Sequence, residues 1–335
     1  MRILVVRFSS LGDCVLLCPL LDHLKRAGAR EVVVLTKRAY ANLFAAATGV
    51  DRIVAIDAST APTHLWRMAG EFRDGYTVLD AHASGRSRLV AACAGHVDAR
   101  IAKHTRERLG LIVFKRPASL PTMLERYARL AAGAGLEVPV LSPGGIAVPE
   151  PSARDAASAM GDAPFVAVSP GSRWPAKQWN GFDRMCAALA RECNILLVGD
   201  ERDRAVARPI ADALGERCLD LTGRARLMET AAHVARCRAF VGNDSGLMHL
   251  AEAVGVPVVA LFGPTVREFG YFPSLPRSRT IERAIACRPC SRNGSTPCLR
   301  GTGECLAAIP ADAVVDAVAT LFDESAPRHI VLDPA

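Results

Sequence analysis

Asp244-Ser245-Gly246-Leu247-Met248-His249 lies between two apolar, strand-like runs, Ala239–Val241 and Val256–Phe262. A strand that ends in small polar residues and opens a helix aims free backbone N–H groups past its C-terminal edge, which suits a phosphate or a sugar. A second turn of this kind is Ser169-Pro170-Gly171-Ser172-Arg173-Trp174-Pro175-Ala176-Lys177, after the apolar run Phe165–Ser169. Two such turns in one half of a chain point to a nucleotide diphosphate ligand. Lys177 offers a cation, and Ser169, Gly171 and Ser172 offer hydroxyl and backbone donors beside it. Together they can neutralise a leaving diphosphate in the place of a metal; the plainer reading of Lys177 is a solvated lysine. Ser245 and Gly246 open a helix whose N–H groups can meet the diphosphate. His249 falls about one helical turn further on, where a lone histidine is more often structural. Thr265, after Gly263-Pro264, either lines the same pocket or belongs to simple turn chemistry.

The elements that must carry these residues alternate. Ile3–Val6, Glu31–Leu35, Arg52–Ile56 and Tyr76–Leu79 read as strands, with amphipathic segments between them. This pattern predicts a parallel sheet with helices on both faces. The stretch 138–164, rich in proline and glycine, is the expected boundary. Beyond it the alternation restarts with Phe165–Ser169, Asn194–Val198, Arg217–Leu219, Ala239–Val241 and Val256–Phe262. The expected organisation is α/β, with two Rossmann-like domains facing across a central cleft that holds the ligand. Their limits are 1–150 and 151–323, with a tail over 324–335.

The chain has 335 residues, half of them apolar, so each half can bury a core. A formal charge of +7 is modest for this length and suits an acidic substrate or an anionic membrane surface. Only 5% of residues are aromatic, which leaves little for base stacking and argues against nucleic acid as a partner. No apolar h-region follows Met1 and no run reaches the length of a membrane span, so a cytoplasmic protein is expected. Seven of the 11 cysteines stand singly in strand or helix patterns and read as small core residues.

Neither half contains GxGxxG, which argues against a nicotinamide dehydrogenase. Instead, three motifs in order resemble glycosyltransferase family 9, the bacterial ADP-heptose:lipopolysaccharide heptosyltransferases. They are Arg2-Ile3-Leu4-Val5-Val6-Arg7-Phe8-Ser9-Ser10-Leu11-Gly12-Asp13, then Pro170 through Trp179, then Gly242 through Gly255 with Leu261-Phe262-Gly263-Pro264-Thr265. The resemblance implies a GT-B fold, an inverting mechanism and no essential metal. It makes Asp13 the catalytic base, where the residues alone leave a choice between a base and an ordinary helix cap. It places Asp244 on the donor sugar hydroxyls or on Lys177. A helix N-terminus stabilises a carboxylate and weakens it as a base, so proton transfer to Asp13 is expected late, as oxocarbenium character develops.

The first half holds His82, Arg86, Arg88, Lys103, His104, Arg106 and Arg108, in the region where the family binds its acceptor. A phosphorylated lipid A–Kdo or heptose core matches that charge, with Ser10, Arg86, Lys103 and Arg106 as candidate contacts; the alternative is a solvated face. The family often has a more glutamine- and glycine-like turn where this chain has Ala81-His82-Ala83-Ser84-Gly85. ADP-heptose is the implied donor. The implied location is the inner face of the inner membrane, reached by peripheral contact with anionic lipid. Competing readings are a GT-B-fold nucleotide-sugar epimerase and a non-catalytic nucleotide-sugar-binding module.

Cys287, Cys290, Cys298 and Cys305 form a separate group with one CxxC. Four thiols can make a tetrahedral zinc site, whereas the spacing matches no ferredoxin run. The bland alternative is a reduced, loop-stabilising segment, and no cofactor is required by the transfer chemistry.

Overall fold

The computed structural model describes residues 1–57, 59–322 and 329–332. Along the chain, β1 (Arg2–Val6), α1 (Leu11–Arg26), β2 (Glu31–Lys37), α2 (Ala41–Ala45), β3 (Arg52–Ile56), α3 (Pro62–Gly70), β4 (Tyr76–Asp80), α4 (Gly85–Cys93) and β5 (Ala99–Arg100) alternate as expected. Then come α5 (Thr105–Phe114), α6 (Met123–Ala128) and α7 (Glu150–Met160). The second run is β6 (Phe165–Ser169), α8 (Phe182–Leu189), β7 (Asn194–Leu197), α9 (Arg204–Leu214), β8 (Cys218–Asp220), α10 (Leu227–Ala235), β9 (Ala239–Asn243), α11 (Gly246–Ala253) and β10 (Val258–Phe262). It ends with β11 (Arg279–Arg283), α12 (Glu304–Ala307), α13 (Ala311–Ala319) and β12 (His329–Leu332).

These elements form two compact units. One comprises Met1–His104 with Pro121–Ala147, and the other comprises Thr105–Leu120 with the chain from Val148 onward. Residues 105–120 therefore belong with the second unit, although they interrupt the first in sequence. Arg108 donates to the Phe269 carbonyl at 2.9 Å, and Lys115 donates to the carbonyls of Cys287 and Pro289 at 2.8 and 2.6 Å.

The first unit has a five-stranded parallel sheet in the order β3-β2-β1-β4-β5. Its central strand is apolar on both faces, and Ile3, Leu4, Val5 and Val6 have no exposed surface. Only a strand covered on both sides tolerates such a run. One face packs Leu4, Val6, Val33 and Leu35 against Leu65 of α3, Phe72 in the turn after it and Val90 of α4. The chain returns to this unit at Pro121 and leaves it just after Ile146, which bridges Ala47.

The second unit has seven parallel strands in the order β12-β11-β10-β9-β6-β7-β8. Two apolar clusters cover its faces, one around Trp179, Phe182 and Leu261, the other around Phe240, Met248 and Phe262. The order reverses beside β6 and β9, so the C-terminal ends of these two strands form a switch point where ligands bind in such sheets. Most of the expected tail lies outside the described residues, but His329–Leu332 is the edge strand β12 beside β11. Burial pushes the thiols of Cys18 and Cys237 up to about 12, as fits core cysteines.

Candidate active site

In the first unit, β1 ends at Val6 and α1 begins at Leu11, leaving a four-residue turn. Ser10 is the N-cap and Asp13 is the third helical residue. The Asp13 carboxylate folds back onto the cap: Oδ2 accepts from the Ser10 amide at 3.1 Å and from the Ser10 hydroxyl at 2.7 Å. Arg7 adds its Nη2 at 2.7 Å from the same oxygen, and both side chains are nearly buried. Arg7 also donates to the Ala81 carbonyl, and Tyr127 donates its hydroxyl to the Asp13 carbonyl at 3.1 Å. The carboxylate is thus held by cap, cation and backbone together. The sequence motif contains Arg7 without giving it a role, although a cation closing an apolar strand implies an anionic partner close by.

The turn after β4 adjoins this group. Buried Asp80 accepts from the amides of His82 and Ala83 through Oδ1, at 3.1 and 2.7 Å, and from Arg100 through Oδ2 at 2.9 Å. The His82 ring meets Phe8 edge-on at 5.6 Å. Burial, then the charges of Arg7 and Lys103, push its imidazole down to about 4, against the smaller opposing pull of Asp13 and Asp80. Arg86 lies over the Phe8 ring at 5.9 Å and donates to the Thr60 carbonyl at 3.0 Å. Of the candidate acceptor contacts, Ser10, Arg86 and Lys103 are in this unit, and Arg106 is at the start of α5 in the other.

In the second unit, β6 and β9 lie side by side, with Ser169 level with Gly242. Asn243 ends β9 fully buried. Its Nδ2 donates to the carbonyls of Pro170 and Gly171 at 3.2 and 3.0 Å, and its Oδ1 accepts from the Trp179 amide at 3.0 Å. One amide side chain therefore anchors both ends of the loop that carries Lys177. The sequence reading quoted Asn243 within a motif but gave it no role.

Lys177 forms a nearly buried ion pair with Asp244 Oδ2, which also accepts from the Thr265 hydroxyl at 2.7 Å. Three distant segments meet at this oxygen. Ser245 caps α11 without a side-chain capping bond, and its enclosed hydroxyl has no partner among the described residues. An orphan hydroxyl at a helix N-terminus, next to a lysine, is a set of donors suited to an anion. Gly171 is required by close approach: a Cβ there would stand 2.0 Å from the Asp203 carboxylate. Ser172 accepts from the Trp174 amide at 3.4 Å. His249 is buried one turn into α11, with its ring 6.2 Å from Tyr271.

The cysteine-rich segment flanks this group. The Cys290 amide donates to the Pro264 carbonyl at 3.1 Å, and Arg288 donates to the Thr265 carbonyl at 2.8 Å. Gly294, at φ +79°, lies so close to Lys177 that a Cβ would come within 2.6–3.0 Å of three carbons of its stem. Cys287, Cys290, Cys298 and Cys305 line one cavity of about 70 Å³. Among the described residues, however, no three Cys, His, Asp or Glu side chains are grouped so as to hold a metal ion.

Two parallel α/β units, each with polar groups gathered at the C-terminal ends of central strands, define the class as GT-B glycosyltransferases. The solved structure of E. coli ADP-heptose lipopolysaccharide heptosyltransferase II superimposes with a TM-score of 0.74 at 25% identity, covering 97% of this chain and all of that one. The family model of glycosyltransferase family 9 (heptosyltransferase) matches residues 67–298, and the chain belongs to that family. Lipooligosaccharide heptosyltransferase 2 of Haemophilus influenzae is 33% identical over 184 residues, 49% of this chain and 53% of that protein. Lipopolysaccharide heptosyltransferase 1 of Pseudomonas aeruginosa is 27% identical over 325 residues, 88% of each chain. The match to the Haemophilus influenzae protein thus spans about half of that relative's length.

Proposed function

We propose that this protein transfers a heptose from ADP-heptose to the inner core of lipopolysaccharide, with inversion at the anomeric carbon. The observation that carries this reading is the convergence of Lys177, Asp244 and Thr265 beside the unsatisfied Ser245 hydroxyl at the start of α11. In this reading the ADP diphosphate occupies that set of donors, and Lys177 neutralises the charge that develops as the anomeric C–O bond breaks. Ser169, Gly171, Ser172, Gly246 and His249 complete the donor side. Asp244 fixes the lysine and faces the sugar hydroxyls.

Asp13 takes the proton of the attacking hydroxyl. The new glycosidic bond forms as the old one breaks, and ADP leaves with the bonding electron pair. Ser10 and Arg7 orient the carboxylate. Ser10, Arg86, Lys103 and Arg106 are the acceptor contacts of this reading, and the phosphates of the lipid A–Kdo core are the anions they meet. The protein works at the cytoplasmic face of the inner membrane through peripheral contact; among the described residues, no helix is long and apolar enough to cross a membrane. The lysine takes the charge-neutralising part, so the reaction requires no metal, and any zinc held by the four cysteines is structural.

The test is to incubate the purified protein with ADP-heptose and a heptose-deficient lipopolysaccharide core, and to measure ADP with and without the core. Acceptor-dependent release is expected. Tight ADP binding without release under any condition would reduce the protein to a nucleotide-sugar-binding module, and interconversion of the free donor would make it an epimerase.

A further inference from the structure

His82 is the polar group beside Asp13 whose ring nitrogens have no hydrogen-bond partner among the described residues. Its Nδ1 is enclosed, so Nε2 is the nitrogen that a ligand can reach. The ring is not there by default. It is aimed by the buried Asp80 carboxylate, which holds the His82 and Ala83 amides, and it is backed by Phe8. Ala83 adopts φ +53°, a conformation a residue with a side chain rarely takes, and such backbone persists where the surroundings enforce it.

We propose that His82 is an acceptor-binding residue, whose imidazole shares a hydrogen bond through Nε2 with a hydroxyl of the acceptor sugar. The inference rests on the transferase reading and adds to it a division of labour. Burial first, and then the charges of Arg7 and Lys103, keep the ring uncharged. A protonated ring here would repeat what these cations already offer to phosphate. Through Nε2 a neutral ring either donates or accepts, according to its tautomer, and a hydroxyl can answer in either sense. The enclosed Nδ1 and the ring's contact with Phe8 leave it a single usable edge, so it selects for position as well as chemistry.

Steady-state kinetics with ADP-heptose and a heptose-deficient lipopolysaccharide core test this in three variants. H82F keeps an aromatic ring against Phe8 and removes both nitrogens. It should raise the acceptor KM about 5- to 10-fold, the worth of one neutral hydrogen bond, with ADP affinity unchanged. H82Q places an amide near the Nε2 position and should recover most of that loss. An H82F enzyme with wild-type acceptor kinetics would overturn the proposal. So would H82K binding the core as tightly as wild type or more tightly, because the position would then be an anion subsite. Loss of ADP affinity in H82F would make the residue structural instead. Failure of wild-type protein to release ADP with any core would count against the transferase reading itself, and is recognised by that control.

Discussion

The two charged centres are built in opposite ways. Asp13 is held within one short stretch, by Ser10 three residues before it and Arg7 six residues before it, in a capping arrangement that any helix start can form. Lys177 and Asp244 are 67 residues apart, Thr265 is 21 residues beyond Asp244, and their meeting depends on β6, β9 and β10 lying in register. The local centre needs little beyond its own segment to orient its carboxylate. The assembled centre exists only when the sheet is complete. In the proposed reaction, a base that must keep one orientation suits the first construction, and a pocket that must surround a large leaving group suits the second.

The sharpest way to break this contrast is Asp13→Asn. The cap can survive through the amide oxygen, so ADP affinity should stay within about 2-fold while turnover falls by about 10²- to 10⁴-fold, the range for a lost general base. Full activity in that variant would remove Asp13 from the chemistry. Lys177→Met should cost somewhat less in turnover, about 10²- to 10³-fold, and should also weaken ADP binding, because in the proposed reaction the lysine meets the leaving group in both states. If only KM changed, the lysine would be a binding residue without a role in bond cleavage.

Asn243→Ala separates the constructions by stability. It strips three hydrogen bonds from buried backbone groups in the second unit and should cost about 2 kcal/mol, read as a lowered midpoint in thermal or urea unfolding. The donor KM should rise, whereas the acceptor KM should not move; a shift in the acceptor KM alone would contradict the assignment of that loop. The smallest effect expected is that of a chelator. Acceptor-dependent ADP release should be unchanged after exhaustive treatment with EDTA, and activity restored only by added metal would overturn the charge-neutralising role of Lys177.

The contrast also explains what could be read from the sequence. The apolar cores of β1, β2, β6, β9 and β10 are local patterns, and they appear in the structure near their expected limits, whereas the cap of α1 is Ser10 and not Asp13, which stands at its third helical position. The strand β11 is another matter. Arg-Thr-Ile-Glu-Arg reads as a polar segment, yet Arg279 and Arg283 are buried and donate to main-chain carbonyls at Thr320 and Ala308. No local pattern announces a buried arginine whose partners lie 25 to 41 residues further along. The two-residue strand β5 is too short to show any period. Asn243 hides for a related reason: an asparagine after a strand reads as a turn residue until the loop it anchors is folded beside it. The location of residues 105–120 was equally illegible, because Arg108 and Lys115 reach across more than 150 residues of sequence to their carbonyls.

On the proposed role of Lys177, Gly294 has a consequence for the thermodynamics of donor binding. A free lysine stem samples many rotamers, and immobilising it costs up to about 2 kcal/mol of conformational entropy. With a bare glycine backbone lying along its carbons, and Asp244 at its tip, Lys177 has given up much of that freedom during folding. The ordering is then complete before the nucleotide arrives, so more of the attraction between ammonium and diphosphate is left to appear as affinity and as rate.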